Sequence, residues 1–115
     1  MDQIIITKTV RIFSDLIERN KDNRAYSDFK EGINEGLEIA KDTFEENVDK
    51  FIFPASGEGP AAKIQSLQER FNLMIDTIAV KEKPNYSREH LDGIHEGFKK
   101  SKELFRECVT EYYNL

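Results

Sequence analysis

The chain is predicted to be all-α, a four-helix bundle built from two tandem helical hairpins. Three observations predict it. Apolar residues recur at helical spacing through four segments. One Gly/Pro-rich stretch, residues 54–60, divides the 115 residues near their middle. The segments on either side of it repeat each other, with Gly32 and Gly36 answering to Gly93 and Gly97. The length suits one domain over residues 1–115, large enough for one core and too small for two.

In the first segment Ile6, Val10, Phe13 and Ile17 are spaced four, three and four apart, which predicts a helix from about residue 4 to residue 20. Its β-branched opening, Ile4-Ile5-Ile6-Thr7, is equally compatible with a short strand. The polar run 20–24 is a turn. After it Ser27 and Asp28 offer N-cap oxygens, and Asp28 with Glu31 has the spacing of a capping box. The second helix then carries Phe29, Ile33, Leu37, Ala40, Phe44, Val48 and Phe51 on one stripe, about 25 residues and on the order of 35 to 40 Å. Pro60 is suited to the first turn of the third helix, whose stripe is Ile64, Leu67, Phe71, Met74 and Ile78 and which should end before Lys83-Pro84-Asn85. Ser87 caps the fourth helix, which carries Leu91, Ile94, Phe98, Phe105, Val109 and Tyr112.

An offset of 61 residues places Ile6 on Leu67, Val10 on Phe71, Phe13 on Met74 and Ile17 on Ile78, then Gly32-Ile33-Asn34-Glu35-Gly36 on Gly93-Ile94-His95-Glu96-Gly97. Phe44 meets Phe105 and Val48 meets Val109. These matches imply an internal duplication, repeats 3–53 and 64–114 joined by the loop 54–60. A lone helical pair cannot bury its apolar face, so the hairpins should pack face to face about an approximate two-fold axis. The alternative is a homodimer in which the long helices pair with a second chain. Gly32, Gly36 and Ala40, with Gly93, Gly97 and Ser101, edge the apolar stripes. Each helical glycine costs about 1 kcal/mol against alanine. The expected compensation is close helix-to-helix contact.

The net charge of −5 argues against direct nucleic-acid binding and for a basic partner. The chain has no apolar run long enough for a membrane span and no secretory signal, so a cytoplasmic location is expected. Cys108, the lone cysteine, is expected to be partly buried on the small-residue edge. Glu31, Glu35, Glu38, Asp42, Glu45, Glu46 and Asp49 fall opposite the apolar stripe of helix 2, whereas the matching face of helix 4 mixes both signs.

No phosphate loop or nucleophile–base grouping is present, and no cofactor is expected. Asp92, His95 and Glu96 have the spacing of di-metal bundle ligands but point away from the core, and the first copy replaces the histidine with Asn34. The expected function is therefore a non-enzymatic interaction module, a small acidic adaptor, inhibitor or regulator docking a basic protein surface through the helix 2 ridge. Such a partner could itself be a nucleic-acid-binding protein. The alternative is a metal-dependent all-α hydrolase of the nucleotide pyrophosphohydrolase type, since Glu35-x-x-Glu38 and Glu46-x-x-Asp49 supply the residue types that hold magnesium there.

Overall fold

The computed structural model describes residues 2–22, 24, 26–48, 60–80 and 83–112. Among these residues there are four helices and no strand: α1 (Asp2–Asn20), α2 (Asp28–Asn47), α3 (Pro60–Asp76) and α4 (Arg88–Tyr112). They pack as a bundle of 49 × 26 × 22 Å.

The ends of the helices follow from local hydrogen bonding. The β-branched residues 4–7 are helical, within an α1 that closes when the Asn20 amide donates to the Leu16 carbonyl at 2.8 Å. Ser27 is the N-cap of α2, with its Oγ accepting from the Lys30 N–H at 3.2 Å. Asp28 is consequently the first helical residue, and the expected Asp28/Glu31 capping box is replaced by this serine cap. Ser87 caps α4 in the same way, accepting from the His90 N–H at 3.1 Å. The expected continuation of α2 through Phe51, and the loop 54–59, lie outside the described residues.

The third helix stops earlier than Pro84 requires. Thr77 turns its hydroxyl back onto the Met74 carbonyl at 2.8 Å, and the amide of Ile78 bonds to Ile75, three residues back. This side chain competes with the helical ladder and tightens the last turn, so Ile78 lies beyond the helix. The core position in that final turn belongs to Ile75, which is buried, and Met74 is only partly so.

One phenylalanine from each helix meets at the centre. Phe13, Phe44, Phe71 and Phe105 are fully buried, and all six ring pairs lie within 5.9 Å between centroids. Phe71 and Phe105 stack at 4.1 Å, and the other five pairs are edge-to-face. Leu37, Ala40, Leu67, Ile94, Cys108 and Val109 extend this single core along the bundle. The closest helix pair is α2 with α4, and α1 and α3 flank it without touching each other through their backbones.

Candidate functional site

Gly32, Gly36, Gly93 and Gly97 form the contact between α2 and α4. An ideal Cβ on Gly32 would lie 2.9 Å from the Gly93 Cα and nearer still to the His90 carbonyl oxygen. One on Gly97 would lie 3.0 Å from the Gly36 Cα and 2.5 Å from the Ile33 carbonyl oxygen. No side chain fits there, because the neighbours are backbone. Gly32 sits on Gly93 and Gly36 on Gly97, so the two helices run in the same direction. Ala40 and Ser101, one turn on, are fully buried, and Ser101 directs its hydroxyl to the Phe98 carbonyl at 2.6 Å. Further along, the Cys108 thiol is buried and donates to the Thr9 carbonyl of α1 at 3.5 Å.

A parallel pair brings two helix N-termini, and their positive dipole ends, to one end of the bundle. Acidic groups answer this charge: Asp28 and Glu31 in the first turn of α2, Glu89 in that of α4. The Ser87 hydroxyl crosses between the helices to donate to the Asp28 carboxylate at 2.8 Å. One turn deeper Glu35 accepts from the Tyr86 hydroxyl at 2.6 Å and contacts His90 Nε2 at 2.8 Å. The Tyr86 and His90 rings stack at 4.3 Å, which sets the position of both partners. Beside this cluster a cavity of about 310 Å³ opens between α2, α4 and the residues following α3.

The predicted acidic ridge is divided by these contacts. Glu35 is held by Tyr86 and His90. Glu38 bridges to Lys21 and Lys41, and both lysines also reach Glu18, at 3.0 and 2.9 Å, so this network ties the end of α1 to α2. Glu31, Asp42, Glu45 and Glu46 are exposed and have no ion-pair partner among the described residues. Asp49 lies outside the described residues. Glu35 and Glu38, the first proposed magnesium pair, thus belong to two separate networks. Asp92, His95 and Glu96 are exposed, with His95 edge-on to Phe98 at 5.9 Å. Among the described residues no group of three or more His, Cys, Asp or Glu could hold a metal ion.

Sequence periodicity alone misses Tyr86 and His90 as partners of Glu35, because it places Glu35 on the polar side of its helix. The available signal was proximity to the glycine edge, which brings the first turn of α4 over that flank.

The two networks predict how stability responds to acid. Burial pushes the Glu35 carboxyl up, but the bonds from Tyr86 and His90 outweigh it and hold the group below its ordinary value of 4.5. Hydrogen bonds from Lys41 and Lys21 lower Glu18, and those from Lys21, then Lys41, lower Glu38. The stability these carboxylates contribute is therefore complete above about pH 4.5 and is lost as pH falls through their lower folded-state values. Urea unfolding between pH 6 and pH 3 should show this loss, and Glu35→Gln should make the acid dependence shallower. An unchanged pH slope in that variant would contradict the assignment.

Among the described residues, no helix is long and apolar enough to cross a membrane. No protein-family model matches the chain, and neither does a curated protein or a solved structure.

Proposed function

We propose that the chain is a non-enzymatic interaction module that docks a basic protein surface through the exposed acidic face of α2. The supporting observation is that Glu31, Asp42, Glu45 and Glu46 are exposed without a cationic partner on the described part of the chain, while the nearby Lys41 is turned away to Glu18 and Glu38. Asp42 and Glu46 are four residues apart, and such like-charge neighbours cost a helix a few tenths of a kcal/mol. The last turn of α2 has no basic residue to complement its negative dipole end. A cationic partner would relieve both costs. It would also gain speed of association from the concentrated field.

The same proposal takes the chain as a tandem duplication in which the core and glycine seam were kept while the outer faces diverged. A second copy is not required, since the glycine edges that would pair two chains already meet inside one. The adaptor, inhibitor or regulator role, and a cytoplasmic setting, belong to this proposal.

A docking face makes stability and function respond with opposite signs. Glu46→Lys converts the repulsion with Asp42 into attraction and places a cation near the helix C-terminus, so the isolated protein should gain about 0.5 to 1 kcal/mol in urea unfolding. Affinity capture from the source cells should then recover a salt-sensitive partner with the wild-type chain and lose it with Asp42→Lys/Glu46→Lys. Retention of the same partners by that double variant would rule the docking face out.

A further inference from the structure

The cavity beside Glu35 has the composition of a small-ligand site rather than of a packing defect. Its volume, about 310 Å³, lies at the lower end of the range for small-molecule pockets. Ile39, Ile78, Val80 and Ile94 supply apolar walls, and Ile94 is fully buried. Two charged groups of opposite sign also line it. Glu35 is the anion, its side chain one-third exposed, and each of its oxygens takes one bond, from Tyr86 and with His90. A carboxylate oxygen accepts two, so Glu35 retains acceptor capacity toward the cavity. Lys83 is the cation, at the rim, with its Nζ 5.6 Å from the Tyr86 ring centroid.

This pattern discriminates among occupants. A wholly apolar molecule would strip water from Glu35 without replacing its hydrogen bonds, which costs free energy. A simple carboxylate meets repulsion from Glu35, and a simple amine leaves Lys83 uncompensated and competes with its charge. A compact zwitterion carrying an apolar group satisfies both ions and covers the walls. We propose that the cavity binds a small apolar α-amino acid, its ammonium on Glu35, its carboxylate on Lys83 and its side chain among Ile39, Ile78, Val80 and Ile94. None of Glu31, Asp42, Glu45 and Glu46 lines the cavity, so the site shares no residue with the docking face, although Glu31 is one turn from Glu35.

The test is an amide NMR titration of the full chain with L-leucine. Saturable shifts are expected at Ile39, Ile78, Val80 and Ile94, with Kd on the order of 1 mM. Isoamylamine and isocaproate each lack one charged group and should bind about tenfold more weakly. Lys83 is exposed, so Lys83→Gln leaves the fold intact; it should weaken leucine about tenfold and leave isoamylamine unweakened. Ala79, also exposed and at the cavity, offers a second variant, Ala79→Phe, which should block all three probes. Absence of saturable shifts at those amides, binding of isoamylamine as tight as leucine, or leucine affinity unchanged in Lys83→Gln would each overturn the proposal.

Discussion

Alanine at Gly36 or Gly93 should destabilise the protein by about 2 to 4 kcal/mol, measured by urea unfolding, even though alanine is the better helix former by about 1 kcal/mol. The sign is set by what the new methyl meets. At Gly36 it meets the carbonyl oxygen and carbon of Ile94 and the Gly97 Cα; at Gly93 it meets the Phe29 carbonyl oxygen, the Gly32 Cα and the Ile33 nitrogen. A flexible side chain could swing aside. These atoms are backbone in a second helix, so relief requires α2 and α4 to separate. Separation would loosen the packing beneath them, where Leu37, Ala40 and Ile94 are fully or almost fully buried. A variant that gained stability would show that the seam is open.

The second large effect is at the ring cluster. Phe105→Ala should cost about 3 to 5 kcal/mol, because it removes a fully buried ring in contact with three others and leaves a cavity bounded by four helices. Against a typical domain stability of roughly 5 to 15 kcal/mol, that leaves a partly unfolded population under mild denaturant. Phe105→Leu conserves most of the volume and should cost about 1.5 kcal/mol or less. Phe13 and Phe105 touch at 5.7 Å, so their alanine substitutions should not add: a double-mutant cycle is expected to show coupling of about 0.5 to 3 kcal/mol. Simple additivity would mean that the rings do not act as one cluster.

Much of this architecture is written in local patterns. The four apolar stripes identify four helices because 3.6-residue periodicity is a local property, and Ser27 and Ser87 mark two starts because an N-cap needs only its own third neighbour. The glycine spacing identifies an edge of close approach for the same reason. What it cannot encode is direction, since an edge of small residues fits a parallel or an antiparallel neighbour equally well. The parallel arrangement depends on all four helices packing together.

The early end of α3 was hidden because Thr77 acts through its own hydroxyl bond rather than through hydrophobicity, and the exchange of Met74 for Ile75 at the core follows from that last turn. Glu35 illustrates the limit for the candidate site. On the helix it belongs with Glu31 and Asp42, yet a connection more than fifty residues away folds over it and turns a surface charge into a structural one. The exposure of Asp42, Glu45 and Glu46 was legible because, among the described residues, no other element crosses that face to alter it.

The parallel α2–α4 seam brings Tyr86 and His90 onto Glu35 and frames the cavity beside them, and the distance between paired spin labels tests it directly. Glu31, Asp92 and Glu107 are exposed, and Cys108 is buried from the reagent, so cysteines can be labelled at the first three positions. A parallel pair predicts a short distance for Glu31→Cys/Asp92→Cys. For Glu31→Cys/Glu107→Cys it predicts a clearly longer separation, because about fifteen helical residues add an axial offset of roughly 22 Å. The reverse order, with the Glu31–Glu107 pair nearer than Glu31–Asp92, would contradict the seam and the account built on it.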